Sequence, residues 1–234
     1  MHWGGFMTRE EISTYIDNAV LMTKLVTKEE AERILNEDIQ EDSMVKSSHL
    51  KNLIDSVQIG EAFFKKDFDN HIILAHFRPH YKKIDLKNYV DIIGEYAFFN
   101  NQIIEEVCGS VAIKVCHGGF LLCHNLKKVV FPTVDDVGDS GFGSCDELTH
   151  VVMRPRIIGW CAFFDCYKLS KFDFSNVESI GCLSFASTSI ERVIAPKLAD
   201  VGRNIFFDCK LKTVDVPKLS VNMLISKKDA GADL

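Results

Sequence analysis

The sequence has little of what nucleic-acid-binding and membrane-spanning proteins depend on. Its 33 acidic residues outnumber its 27 lysines and arginines, and no basic tail is present to contact phosphates. No run approaches the roughly 18 apolar residues of a membrane span, and the first residues lack the pattern of a secretory signal. These absences predict a cytoplasmic protein without nucleic-acid or membrane partners, with leaderless export to a host as the alternative.

Motifs for catalysis and cofactor binding are also missing. The chain has no Gly-rich phosphate loop and no paired-carboxylate motif, and its GDSG string lacks the His and Asp context of a serine protease. Three histidines lie close together at His71, His76 and His80. They are interpreted as surface residues, because Pro79 opposes the helix on which zinc ligands would be spaced. We therefore predict no enzyme activity, no metal and no cofactor.

Phenylalanine and cysteine are abundant instead, and they recur at a fixed period. Six phenylalanines follow one another at separations of 21 or 22 residues: Phe98, Phe120, Phe142, Phe163, Phe185 and Phe206. A glycine stands four residues before five of these anchors, and a cysteine stands three residues after four of them. An apolar pair with the spacing L-x-x-V follows in each copy. The pattern is that of a repeat.

A period of roughly 20 to 29 residues predicts a solenoid in which each copy supplies a strand and a tight turn segment. The frame I-G-x-x-A-F-x-x-C-x-x-L-x-x-V, as in IGWCAFFDCYKLSKF, resembles the BspA-type (Treponema pallidum-type) leucine-rich repeats. The resemblance covers about Ile84 to Val221. It implies a scaffold known mainly from surface and interaction proteins, and it implies little about activity.

The cysteines of the repeat are interpreted as stacked core residues. Cys123, Cys145, Cys166 and Cys209 occupy one repeat position, so we expect them in one interior layer, where a small thiol packs well. No pair of cysteines has the C-x-x-C spacing. Without a secretory signal, the sequence predicts free, reduced thiols.

The N-terminal part differs from the repeats, because its pattern is that of three amphipathic helices. Capping boxes formed by Thr8 with Glu11 and by Thr27 with Glu30 mark the first two. The predicted apolar faces are Ile12, Tyr15, Ile16, Ala19 and Val20 in the first helix, Ala31, Ile34 and Leu35 in the second, and Leu50, Leu53, Ile54 and Val57 in the third. The predicted fold class is α+β: a leucine-rich-repeat solenoid of about six 21–22-residue copies with an N-terminal helical cap or small helical domain.

Three segments are predicted. They are residues 1–83 as the helical region capping the solenoid, 84–221 as the solenoid, and 222–234 as a C-terminal tail. The tail begins another copy but lacks a Gly or Phe anchor. Either its apolar residues Met223, Leu224 and Ile225 close the end of the core, or this edge is open to a second chain.

A partner-binding surface is predicted on the concave face that the strands line in such solenoids. The two residues before the V of each copy, and the one after it, are expected to point outward. The predicted surface combines basic and aliphatic residues: Lys127, Lys128, Val130, His150, Val152, Lys171, Arg192, Ile194 and Lys212. A mostly basic column in an acidic chain favours a protein partner with an acidic, partly apolar segment.

The predicted function is a protein–protein interaction scaffold, in one version a leaderless effector. Two alternatives remain open. The first is a surface adhesion or self-assembly protein, with self-association through the C-terminal edge. The second is an enzyme with its site in the N-terminal helical region, which requires polar residues that converge in a pocket there.

Overall fold

The computed structural model describes residues 8–21, 25–38, 50–51, 53–59, 61–77, 80–219 and 224. Two helices with described bounds, α1 (Arg9–Leu21) and α2 (Lys28–Asp38), precede the strands, and Leu50, Lys51 and Leu53 of the predicted third helix are also helical. The strands within these residues are β1 (Val57–Ile59), β2 (Ala62–Lys66), β3 (Ile72–Phe77), β4 (Lys83–Asp85), β5 (Ile92–Ile93), β6 (Glu106–Cys108), β7 (Lys114–Val115), β8 (Lys128–Val130), β9 (Asp136–Val137), β10 (His150–Val152), β11 (Ile157–Ile158), β12 (Ser179–Ile180), β13 (Arg192–Ile194), β14 (Asp200–Val201) and β15 (Thr213–Asp215).

The strands pair between successive copies and form a solenoid of about six turns. A nine-stranded sheet has the order β1-β2-β3-β5-β7-β9-β11-β12-β14. A second set contains a four-stranded sheet, β10-β8-β6-β4, and a two-stranded sheet, β13-β15. From β5 onward, each copy contributes one strand to the first sheet. Every copy except the fourth, whose anchor is Phe163, also contributes one to the second set. The predicted solenoid is confirmed.

The anchor phenylalanines form a continuous stack through the core. Their side chains are at most 2% exposed, and neighbouring ring centroids lie 4.6 to 5.6 Å apart with nearly parallel planes. Each buried aromatic side chain contributes a large apolar area, so this stack joins every copy to the next. The repeat period is therefore the spacing that puts one ring above another.

The repeat cysteines line the same core and carry free thiols, as predicted. Each donates its S–H to the carbonyl of the anchor phenylalanine one copy earlier: Cys123 to Phe98 at 3.0 Å, Cys145 to Phe120 at 3.2 Å, Cys166 to Phe142 at 3.1 Å and Cys209 to Phe185 at 3.1 Å. Burial raises the pKa of Cys123 to about 12. Cys209, in the last full copy, is only partly buried.

The glycine four residues before the anchor, present in five of the six copies, allows the turns to approach closely. A Cβ added at Gly159 would lie 2.6 Å from the backbone nitrogen of Asp139, and one at Gly202 would lie 2.3 Å from that of Cys182. Backbone atoms cannot move away without breaking the bonds between copies. The I-G pair thus marks a contact between turns.

The N-terminal region contains more than helices. Both predicted capping boxes are present, with reciprocal bonds between Thr8 and Glu11 and between Thr27 and Glu30. The region also contains β1, β2 and β3, which pair as antiparallel hairpins and extend the nine-stranded sheet through β5. Sequence analysis missed these strands and assigned Val57, the first residue of β1, to a third helix.

The two helices pack on opposite sides of this hairpin sheet. In α1, Ile12, Ile16 and Ala19 are buried in the same core as the phenylalanine stack, whereas α2 packs with Phe63 and Ala75 in a separate cluster. Two expectations for single residues are wrong. Tyr15 is half exposed, because it lies away from the sheet, and His76 is buried against Phe63 on β3. The side chain of Val20 lies outside the described residues.

At the other end, Leu224 is fully buried in the main core. This packing favours the prediction that apolar tail residues close the core. The other two residues of that prediction, Met223 and Ile225, lie outside the described residues. The boundaries at 83 and 221 stay predictions.

Candidate partner-binding face

We call the outward side of β4, β6, β8, β10, β13 and β15 the strand face. On each strand the middle residue points to the core and the residues on either side point outward, as the two-residue periodicity of a strand requires. Val107, Val129 and Val193 are buried in this way, while their neighbours are partly or largely exposed. The outward orientation predicted from the sequence is present in these strands.

The structure brings part of the predicted surface together on β8 and β10. Lys128 is the register partner of His150, and Val130 is the partner of Val152. The side chains on β10 are exposed and those on β8 are half-buried. Lys127 lies immediately before β8 and is exposed. These five residues therefore form one patch that spans two neighbouring copies.

A second part lies on β13 and β15. Arg192 and Ile194 are exposed on β13, and Arg192 is the register partner of Thr213 on β15. Lys212, which directly precedes β15, is exposed as well. Because β13 and β15 form a sheet of their own, this patch is separate from that on β8 and β10.

The fourth copy interrupts the strand face. Lys171 is exposed as predicted, but the segment 171–173 forms no strand. Where the other copies have valine, this copy has Phe172, whose ring packs against Phe163 at 5.2 Å and against Phe185 at 5.1 Å. The bulkier ring points into the core, and the backbone on either side of it forms no strand. The sequence predicts one continuous column, and the structure divides it at this point.

The lysine, arginine and histidine residues of the predicted surface fall into two groups. Lys127 is paired with Glu105 at 2.8 Å, and Lys212 is paired with Glu191 at 2.8 Å. Hydrogen bonds from Lys127 and Lys82 lower the pKa of Glu105 to about 2.

The remaining basic residues of the predicted column form the second group. Within the described part of the chain, they have no ion-pair partner: Lys128, His150, Lys171 and Arg192. The charges of Lys128, Lys171 and Arg192 are therefore not compensated by an ion pair among the described residues, whereas those of Lys127 and Lys212 are.

A cavity of about 490 Å³ opens on the strand face between β4, β6 and β8. The side chains of Cys108 and Val130 give it an apolar part, and Lys83 and Lys128 lie at its edge. Burial, followed by the hydrogen bond to Asp85, raises the pKa of the Cys108 thiol to about 11. Sequence analysis missed the cavity, because β4 precedes the first complete repeat.

A second, wider depression of about 750 Å³ lies on the nine-stranded sheet beside the β2–β3 turn. Asp67, Asp69 and His71 have ligand atoms within 4.8 Å of one another there. The turn itself accounts for this cluster, since Asp67 accepts hydrogen bonds from the backbone N–H groups of Asp69 and His71 and is paired with the His71 ring. Polar residues do converge in this depression, as an enzyme site would require, and they are engaged with one another.

The family model for the BspA type leucine rich repeat region matches this chain in six copies, over residues 76–160 and 113–226. The chain belongs to the BspA-type leucine-rich-repeat family. Among the residues that the structure describes, no helix has the length and apolar character needed to cross a membrane. No curated protein matches the chain.

Two solved structures are similar to this chain, and the first shows its fold. A leucine rich cell surface protein from Faecalibacterium prausnitzii A2-165 has 20% identity and a TM-score of 0.51, over 68% of this chain and 54% of that protein. The T. pallidum leucine rich repeat protein has 21% identity and a TM-score of 0.47, over 68% of this chain and 70% of that protein. This chain spans about half the length of the first structure, and the likeness concerns the fold alone.

Proposed function

We propose that the strand face of this chain binds another protein through an acidic, partly apolar segment. The observation that carries the proposal is the group of basic side chains without ion pairs, Lys128, His150, Lys171 and Arg192, beside exposed aliphatic ones. The chain as a whole has a net charge of −6. Cations without ion pairs on one face of an acidic protein attract acidic segments locally, whereas the excess acidic charge elsewhere repels them. Asp85, Glu106 and Asp215 also point outward on this face, so the attraction is local to the unpaired cations.

The aliphatic residues of the face would supply the contact area. Val152 is 39% exposed and Ile194 is 38% exposed, and they lie on opposite sides of the interruption at Phe172. Burial of such side chains in an interface stabilises the complex, while the charges mainly raise the rate of association. The partner would contact two patches, one on β8 and β10 and one on β13 and β15.

A surface role is the second candidate. The Faecalibacterium protein with the same fold is described as a cell surface protein, and this description supports adhesion or self-assembly as an alternative. The cytoplasmic location predicted from the sequence has no comparable support. The family is generally not enzymatic, and we propose no reaction for this chain.

The experiment compares the intact chain with a triple charge reversal, Lys128→Glu, Lys171→Glu and Arg192→Glu. A matched control reverses Lys197, Arg203 and Lys210, which are exposed basic residues outside the strand face. Proteins captured by the three chains are quantified by mass spectrometry, and association rates with each captured protein are then measured at several salt concentrations. We expect the strand-face reversal to slow association and to weaken its salt dependence, because it removes the long-range attraction. Equal rates and equal salt dependence for all three chains would contradict the proposal.

A further inference from the structure

The turn between β2 and β3 presents a fully exposed aromatic side chain. Phe68 is the most exposed of the large apolar residues described, with a relative exposure of 109%. It lies between Asp67 and Asp69, so the apolar ring is flanked by two carboxylates. An exposed phenylalanine costs solubility and contributes nothing to the core, and it is therefore a candidate contact residue.

This turn is held in one conformation. Asp67 donates its backbone N–H to the carbonyl of His71 at 3.2 Å, and its carbonyl accepts the N–H of Asn70 at 3.2 Å. The Asp67 carboxylate also accepts the backbone N–H groups of Asp69 at 3.0 Å and His71 at 2.9 Å. A side chain on such a turn loses less conformational freedom on binding than one on a flexible loop, because the backbone is ordered beforehand.

The strand-face cavity has complementary properties. It has an apolar part formed by Cys108 and Val130, and its volume of about 490 Å³ is in the range of sites that bury a ring. Lys83 at its edge is paired with Glu106 at 2.5 Å, while Lys128 has no ion pair within the described residues. Asp85 already accepts the backbone N–H of Lys87 at 2.9 Å. The cavity therefore offers an apolar floor surrounded by two lysines and the carboxylates of Asp85 and Glu106, and Lys128 is the lysine of the two without an ion pair among the described residues.

We infer that Phe68 of one copy of this chain docks into the strand-face cavity of a second copy. The ring would contact Cys108 and Val130, and the carboxylates beside it would lie near Lys128. An aromatic side chain that fills a cavity and is ringed by charge has the character of an interface anchor. The same chain carries both the exposed Phe68 side chain, which we call the knob, and the cavity. A second copy can therefore fill the cavity and cover the knob.

The resulting contact is heterologous, because it joins two different surfaces. Phe68 lies in the turn between β2 and β3 of the nine-stranded sheet, and the cavity lies on β4, β6 and β8 of the other sheet. Each docked pair therefore leaves one knob and one cavity free. Contacts of this type produce head-to-tail chains or closed rings rather than dimers that stop at two.

The inference rests on the proposed function in one respect, since the strand face does the binding in both. It differs in the molecule that binds the strand face, which is a second copy rather than an acidic protein of another kind. Substitution of Phe68 distinguishes the two proposals, because Phe68 is required for self-association and is not part of the strand face. Lys128 is expected to contribute to both.

The test measures the mass of the full chain by sedimentation velocity over a range of protein concentrations. We expect the average mass of the unmodified chain to rise with concentration and to pass that of two chains. Phe68→Ser and Lys128→Glu should each weaken association at least about tenfold, as expected for an anchor residue and its charged neighbour. Tyr167→Ser, which removes another half-exposed aromatic, should leave association unchanged. Circular dichroism of each variant confirms that it is folded.

An equimolar mixture of the Phe68→Ser and Lys128→Glu chains gives the sharper result. One variant retains the cavity and the other retains the knob, so we expect a complex that contains two chains and does not grow further. A monomeric unmodified chain, an unaffected Phe68→Ser variant, or the absence of a two-chain complex in the mixture would each overturn the inference. The proposed function is tested separately. It would still hold in each of these cases if the triple charge reversal abolished binding of acidic partner proteins.

Discussion

The solenoid copies and the N-terminal region cover the apolar core in different ways. Each copy buries its apolar side against the next copy through a ring stacked on a ring, and four of the copies add a thiol bonded to a carbonyl of the copy before. Before the first copy, α1 covers the end of the core while a hairpin sheet continues the strands. The comparison shows that the repeat itself determines the core contacts between copies. The end of the solenoid core, in contrast, is covered by a segment that does not repeat.

The largest effect is expected from the ring stack. Phe163 contacts both neighbouring anchors, with centroids 5.1 Å away on each side, and it is fully buried. Phe163→Ala should lower the free energy of unfolding by about 3–5 kcal/mol, because it leaves a cavity that the stacked turns cannot close. Chemical denaturation measures the change. Stability close to that of the unmodified chain would show that the copies do not depend on the stack.

A matched change in the N-terminal region should have a more local effect. Leu35 on α2 is 2% exposed, but it belongs to the small cluster outside the main core. We expect Leu35→Ala to cost about 2 kcal/mol or more and to increase amide exchange in α2 and the hairpin sheet. Exchange in the copies from β7 onward should be unchanged. Equal loss of protection throughout the chain would mean that the two regions unfold as one unit.

The alkylation rates of the cysteines measure how well the core is closed in the middle and at the end of the solenoid. Burial raises the pKa of Cys123 to about 12 and that of Cys145 well above its ordinary value. Because the thiolate is the reactive form, Cys123, Cys145 and Cys166 should resist alkylation at pH 8 until the chain is unfolded, and the partly buried Cys209 should react sooner. Mass spectrometry after timed labelling distinguishes them. Rapid native labelling of the first three would contradict their place in the core.

The smallest effect concerns pH. The pKa of Glu105 is lowered to about 2 by its bonds to Lys127 and Lys82. A lowered folded-state pKa means that the stabilising contribution is complete above the unfolded value of 4.5 and is lost as the pH falls toward 2. Carboxyl resonances followed by NMR should show Glu105 titrating late. Lys127→Met should move its midpoint upward, and an unchanged midpoint would show that the pair is not formed in solution.

The repeat could be predicted because its signals are periodic. The repeat positions occupied by Phe142 and Gly159 recur at a fixed spacing. Each recurrence adds evidence for the same contact between copies. The interruption at Phe172 could not be predicted in this way, because phenylalanine satisfies an apolar position as well as valine does. The ring does pack in the core as an apolar residue should, and the loss of the strand shows only in the structure.

The N-terminal strands and the exposed turn at Phe68 could not be predicted from the sequence for a different reason. Short apolar runs such as those at β1 and β2 fit a buried helix or a strand, and periodicity alone does not separate them. The exposure of Phe68 depends on a single turn that no other part of the chain repeats. The candidate face was predictable residue by residue, but its division and its cavity depend on packing between copies.

Amide exchange of the chain in complex with a captured acidic protein tests the central claim most directly. Binding at the strand face predicts slower exchange in β8, β10 and β13, together with unchanged exchange in β7, β9 and β11 of the opposite sheet. The strand-face charge reversal should abolish this footprint, and the control reversal should preserve it. Protection confined to the nine-stranded sheet or to the N-terminal helices would contradict the claim that the strand face binds the partner.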